Sequence, residues 1–221
     1  MTDPEPIRLL IVEDEKLFRE MLRRILDAEP EVTVIGVAET GEEAVTQAES
    51  LQPDVVMMDV ELPGEMDGID AALVIKAARP ETGIVILSAH KERRYLMSVP
   101  IEDSAGWAYL LKQSVPDMST VIRAIQGTMM GMMVLDPAVV SGLSPRRNTS
   151  ISRLTPRQLD VLELIAQGFN NAAVAGALTL TEKSVETYIN AIYQELGLSG
   201  EPGQHARVMS TLRFLDESVT S

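Results

Sequence analysis

The chain has no cysteine, so disulfides and thiolate metal sites are excluded. It has two histidines, His90 and His205, too few for a histidine-based zinc site. Aromatic residues make up only 4% of its 221 residues. No apolar run approaches the ~20 residues that span a bilayer. The start, MTDPEPIRLL, lacks the basic and long apolar stretches of a signal peptide, so a cytoplasmic location with no membrane partner is expected. What the chain has in excess is acid, with a formal charge of −14 that disfavours nucleic acid. That charge is unevenly spread. Residues 1–145 carry 12 Lys/Arg and 25 Asp/Glu, a balance of −13, whereas residues 146–221 carry 7 and 8, a balance of −1. The acid belongs to the first part, and net charge does not veto a nucleic-acid partner for the second.

The first part alternates strand-like and helix-like segments. Strands are predicted at Ile7–Val12, Val32–Ala38, Asp54–Asp59, Gly83–Ser88 and Trp107–Lys112. Between and after them, helical spacing marks Lys16–Ala28, Gly41–Leu51, Gly68–Ala78 and Val115–Met129. In 91–105, Pro100 argues against one continuous helix and predicts a short one ending before it. Alternation of this kind predicts a doubly wound, five-stranded parallel α/β sheet with about five helices over residues 1–129. Residues 130–152 hold Gly, Pro, Ser, Asn and the pair Arg146–Arg147 and read as a linker, with room for a helical turn at Pro137–Leu143. From 153 to 221 no strand-like alternation remains, and Leu154–Leu215 reads as a small all-α unit of four helices.

Chemistry in a parallel sheet gathers outside the carboxyl ends of its strands. Those ends here carry Glu13 and Asp14, Asp59, Ser88 and Lys112. Carboxylates suit Mg2+, a hard cation that takes oxygen ligands. A carboxylate can also be a nucleophile that forms an acyl phosphate, with Lys112 offsetting the charge of the transferring group and the Ser88 hydroxyl bonding a phosphoryl oxygen.

The motifs IVEDE (11–15), MMDVELPG (57–64), the DG at 67–68, LSAH (87–90) and YLLK (109–112) stand in one order on these alternating elements. Residues 7 to 129 thereby resemble the receiver domain of two-component response regulators. The resemblance implies a flavodoxin-like fold in which Asp59 is phosphorylated by a sensor histidine kinase. It implies Mg2+ held by Glu13, Asp14, Asp59 and the backbone carbonyl of Glu61, with Ser88 and Lys112 on the phosphoryl group. Tyr109 matches the aromatic whose rotamer reports phosphorylation, and Glu61 and His90 match positions that tune dephosphorylation. Such a protein is a single-use acceptor rather than an enzyme. Two departures stand out: the loop after Asp59 (VELPGEMDG) is one residue longer than the common pattern, and the stretch from Ser88 to Lys112 about two residues longer.

In the second part, Thr155–Pro156 is a helix start with Thr as N-cap, and Gly168 suits a stop. Asn171–Leu178 is a short helix. Thr181 caps the next, whose Val185, Ile189, Ile192 and Leu196 form one apolar stripe. Two short helices joined by a tight turn are a helix-turn-helix, whose second helix can enter a major groove. LTPRQ…VLELIAQG and LTEKSVETYINAIYQELGL resemble the LuxR/FixJ-type output domain of response regulators. That resemblance implies promoter DNA as ligand, a homodimer on activation through the final helix, control of transcription, and RNA polymerase as a further partner. The groove-facing set would be Lys183, Ser184, Glu186, Thr187 and Asn190, with Arg146, Arg147, Arg153 and Arg157 flanking. Glu186 and Tyr188 depart from the lysine and histidine common in the family. Two alternatives stay open: a phosphorylation-gated protein-interaction module with little DNA affinity, and a metal-dependent phosphatase using the same acids.

Overall fold

The computed structural model describes residues 5–89 and 105–220. Contacts divide the chain into two compact units, one formed mainly by residues up to Gly131 and the other by residues from Met132 onward.

The first unit is a parallel sheet whose first five strands run in the order β2-β1-β3-β4-β5. They are β1 (Ile7–Val12), β2 (Val32–Ala38), β3 (Val55–Asp59), β4 (Gly83–Ser88) and β5 (Trp107–Leu111). Every residue of β3, β4 and β5 is buried. That is why these runs read as continuously apolar rather than alternating: helices cover both faces of a parallel sheet. The helices are α1 (Lys16–Leu26), α2 (Gly41–Leu51), α3 (Gly68–Ala78) and α4 (Met118–Met129). Thr40 and Asp67 cap α2 and α3, their side chains accepting from Glu43 N and Asp70 N.

The predicted boundaries shift slightly. β3 starts at Val55, one residue late, although the Asp54 backbone still bonds to Arg8 and Gly83 on either side and its carboxylate accepts from Arg8 N at 2.8 Å. Lys112 opens a 3-10 turn (Lys112–Ser114) instead of ending β5. α4 begins at Met118, three residues after the predicted Val115, because successive turns run up to Asp117, whose N–H bonds back to Ser114 O at 3.0 Å. The helix predicted before Pro100 lies outside the described residues, as does His90.

Beyond the five predicted strands, the chain forms a further two-residue strand, β6 (Val134–Leu135). Residues 130–152 are likewise more than a linker. After β6 come α5 (Pro137–Val140) and β7 (Leu143–Pro145), which pairs antiparallel with β8 (Ser218–Thr220). Leu135, Val140 and Ile151 are buried. The apolar pieces in this segment are too short to carry a period, so turn residues dominate the sequence signal.

The second unit continues with α6 (Pro156–Ala166), α7 (Asn171–Leu178), α8 (Glu182–Glu195) and α9 (Gly203–Asp216). Thr155 forms a full capping box with Gln158. Gly168 ends α6 with φ +82° against Val134, where a side chain would collide. Val161, Leu162, Val174, Val185, Ile192 and Phe214 form the core. Among the described residues, no helix is long and apolar enough to cross a membrane.

Candidate functional site

The ends of β1, β3 and β5 bring Glu13, Asp59 and Lys112 together. Lys112 Nζ donates to Glu13 Oε1 at 2.9 Å and to Asp59 Oδ2 at 2.8 Å. Glu13 is fully buried and Asp59 is 3% exposed, whereas Asp14 is exposed. One carboxylate oxygen from each of Glu13, Asp14 and Asp59 lies within 4.8 Å of the others. Glu13 Oε2 also lies 2.8 Å from Lys112 Nζ, but without hydrogen-bond geometry, so no hydrogen bond reaches this buried oxygen. The ammonium directs hydrogen bonds to Oε1 and to Asp59 Oδ2, and Oε2 is left with charge attraction alone.

Burial pushes the pKa of both Glu13 and Asp59 up, against the opposing pull of Lys112. Burial also pulls Lys112 down, but its hydrogen bonds to Asp59 and Glu13 outweigh this and its pKa rises. Three carboxylates around one ammonium leave a formal −2. The donor set is all oxygen, one buried atom is unsatisfied, and the charge is uncompensated. This cluster could hold a hard divalent cation.

Several residues outside the predicted site set help to build the site. Arg19, buried on α1, donates to the carbonyls of Glu13 (2.6 Å) and Asp14 (3.2 Å) and pairs with Glu39. It fixes the backbone on which both acids sit. The ring of Phe18 lies 5.0 Å from Lys112 Nζ, within cation–π range. Gly68 lets α3 start directly against β3: a Cβ there would lie 1.7 Å from the Asp59 carbonyl oxygen. The long loop after Asp59 is pinned by Glu42, whose carboxylate accepts from Glu65 N at 3.2 Å. The signal for Gly68 was present in the DG pair, but Arg19 and Phe18 follow the acidic pair on α1 with no motif of their own.

Three further predicted residues lie on the loop after β3 and on β4 and β5. Glu61 N donates to Asp59 Oδ1 at 3.3 Å, placing the Glu61 backbone beside the acceptor. Ser88, at the end of β4, and Tyr109, within β5, are both buried.

In the second unit, Lys183, Glu186, Thr187 and Asn190 are exposed on α8, and Ser184 is half-buried. Of the flanking arginines, Arg146 and Arg147 are exposed. Arg153 Nε lies 2.5 Å from Glu195, and Arg157 donates to Leu178 O at 2.5 Å. The final helix α9 is fastened by the Arg207 guanidinium, which donates to the Phe169 carbonyl and to Asn171 at 3.3 Å.

An acid–lysine cluster at the carboxyl edge of a parallel sheet, joined to a helix-turn-helix unit, defines the class of response regulators. Family models agree: the response regulator receiver domain matches residues 9–126, and bacterial regulatory proteins of the luxR family match residues 152–203. The chain belongs to the response-regulator family, with a receiver followed by a LuxR-type helix-turn-helix domain. It is similar to the probable transcriptional regulatory protein NarL of Mycobacterium tuberculosis (strain ATCC 25618 / H37Rv), 30% identical over 217 residues, covering 96% of this chain and 98% of that protein. It is also similar to the nitrate/nitrite response regulator protein NarL of Escherichia coli (strain K12), 29% identical over 203 residues, covering 90% and 93%. Among solved structures, a LuxR-family two-component response regulator from Aurantimonas sp. SI85-9A1 aligns with TM-score 0.55 and 27% identity over 62% of this chain and 94% of that one.

Proposed function

We propose that the protein is a phosphorylation switch for transcription. A sensor histidine kinase transfers a phosphoryl group to Asp59, and the phosphorylated form binds promoter DNA as a dimer through α8. The observation that carries this reading is the buried cluster itself. Asp59 and Glu13 are held buried with one shared ammonium and one oxygen lacking a hydrogen bond. Uncompensated buried charge costs stability, and its retention fits a site built for an arriving cation and phosphoryl group.

The chemistry follows from the residues. An Asp59 carboxylate oxygen attacks phosphorus, a P–O bond forms, and the P–N bond to the kinase imidazole breaks. Lys112, already 2.8 Å from Asp59, is placed to follow the new negative charge. The Ser88 hydroxyl lies at the adjoining strand end. Mg2+, held by Glu13, Asp14, Asp59 and the Glu61 carbonyl, would supply charge neutralisation for the transfer. The group is taken up once per chain and lost slowly, so the protein is a receiver rather than an enzyme. The Asp59 pocket would then bias a two-state receiver, with Tyr109 as the reporting aromatic, toward the dimer that addresses promoter and polymerase. A cytoplasmic setting fits a kinase and DNA as partners.

The test is acyl-phosphate formation from a small-molecule phosphoryl donor. Asp59→Ala should abolish it. Asp54→Ala should retain it, because Asp54 serves the Arg8 backbone instead. Acyl phosphate persisting in Asp59→Ala, or steady turnover on phosphomonoesters, would refute the assignment.

One observation favours a second reading. Helix α8 carries Glu182, Glu186 and Glu195 against Lys183 alone, and phosphate contacts by cations normally supply much of DNA affinity. A phosphorylation-gated protein-interaction module would show no retention of genomic fragments at any salt concentration, in either phosphorylation state.

A further inference from the structure

Hydrogen bonding on α8 sorts the exposed polar residues into two groups. Thr187 Oγ1 donates to the Lys183 carbonyl at 2.9 Å, spending its proton within the helix. The Ser184 hydroxyl is shared with the capping Thr181 at 2.9 Å. Lys183, Glu186 and Asn190 are exposed, and their side chains make no hydrogen bond or ion pair among the described residues. These three stand at i, i+3 and i+7, on one stripe of the helix. At 1.5 Å per residue the stripe is about 10 Å long, the rise of roughly three base pairs. It offers a cation, an acceptor and an amide in that order.

We infer that Glu186 is the specificity-determining residue of this surface and selects cytosine at the middle position of each half-site. The inference rests on the DNA-binding reading above. An ionised carboxylate accepts hydrogen bonds and cannot donate. In the major groove, guanine and thymine present acceptors (N7 and O6, or O4) that repel it. Adenine offers its N6 amino group beside the N7 acceptor, which opposes the second carboxylate oxygen. Cytosine offers its N4 amino group beside C5–H and carries no acceptor on its own major-groove edge, the O6 of the paired guanine lying on the far side. Glu186 therefore accepts cytosine and rejects the other bases, at a cost in overall affinity from phosphate repulsion. Lys183 and Asn190 on the same stripe bracket it with a donor and a two-way amide, which suit guanine and adenine respectively.

The test is selection of bound sequences from randomised duplex DNA by the full chain treated with a phosphoryl donor. Wild type, Glu186→Gln and Glu186→Ala are compared, followed by affinity measurements on the selected site and its single substitutions. In wild type, replacing the cytosine should weaken binding on the order of 10- to 100-fold. Glu186→Ala should lose that discrimination at one base pair only. Glu186→Gln should move the preference at that pair toward adenine, since an amide can serve N6 and N7 together. If both variants instead bind every sequence more tightly by one common factor, Glu186 is only a repulsive charge and the inference falls while DNA binding stands. If wild type retains no sequence with or without the phosphoryl donor, the DNA-binding reading itself falls, and this inference with it.

Discussion

Glu13 in the first unit and Glu217 in the second are both glutamates placed beside a partner cation, and their surroundings differ. Glu217 spends its carboxylate on fold. Oε2 accepts from Ser150 Oγ at 2.7 Å and Ile151 N at 3.0 Å, and Oε1 lies 3.5 Å from Arg213. Its pKa is lowered: burial works against ionisation, but the Ser150 and Ile151 hydrogen bonds and Arg213 prevail. Glu13 is fully buried, shares Lys112 with Asp59, and has one oxygen without a hydrogen bond, and its pKa is raised by burial. A carboxylate whose bonds are complete within the protein supports structure. One left incomplete while buried, beside two other carboxylates, could take up an arriving cation.

The hardest blow to that contrast is removal of the shared cation. In Lys112→Met, Glu13 and Asp59 would face each other in the core without the ammonium. Breaking a buried ionic cluster on one side costs about 3 kcal/mol. Both carboxyls already sit above their ordinary pKa, and loss of Lys112 raises them further. The folded state then binds more protons than the unfolded chain. The stability deficit should be largest at neutral pH and shrink as pH falls through the raised values. Urea midpoints at neutral and mildly acidic pH, in metal-free buffer, check this. A deficit that is constant or grows on acidification would mean Lys112 is not what balances the two acids.

The next effect concerns how the acceptor strand is held. Gly68→Ala places a methyl 1.7 Å from the Asp59 carbonyl oxygen, which the backbone must avoid by moving either α3 or the acceptor. Overpacking of this kind costs about 2 kcal/mol. A loss in urea midpoint accompanied by reduced acyl-phosphate yield is expected. Unchanged yield with unchanged stability would show that α3 does not constrain Asp59.

The two regions also differ in how far they could be read in the sequence. The acid–lysine cluster was legible because strand ends in a parallel sheet are neighbours in space, so chain order and apolar runs alone bring Glu13, Asp59 and Lys112 together. The capping residues Thr155 and Thr181 were legible for a similarly local reason. Arg19 was not: its role depends on a side chain crossing from α1 to two backbone carbonyls, which no period announces. Val134, Leu135, Val139 and Val140 were lost among Gly and Pro because two-residue apolar pieces fit a linker as well as a core. On α8, composition listed five polar residues alike. Only the directions of the Ser184 and Thr187 hydroxyls separate the occupied ones from the free stripe.

The smallest effect comes from the satisfied side of the comparison. Glu217→Gln keeps the shape but removes the charge that accepts from Ser150 and Ile151. A hydrogen bond to a charged group is worth about 1.5–3 kcal/mol when buried, and partial solvent screening here brings the expected loss to about 1 kcal/mol. The sign with pH is opposite to that at Lys112. Because the folded-state pKa of Glu217 lies below its unfolded value, its contribution is complete above the ordinary glutamate range and disappears as pH falls through the lowered value. Wild type and Glu217→Gln should therefore differ in urea midpoint at neutral pH and converge in acid. Acyl-phosphate formation at Asp59 should be the same in both, since the change lies in the other unit. Convergence without any loss at neutral pH would show that Ser150 and Ile151 find water as readily as the carboxylate, and that the satisfied acid holds nothing in place.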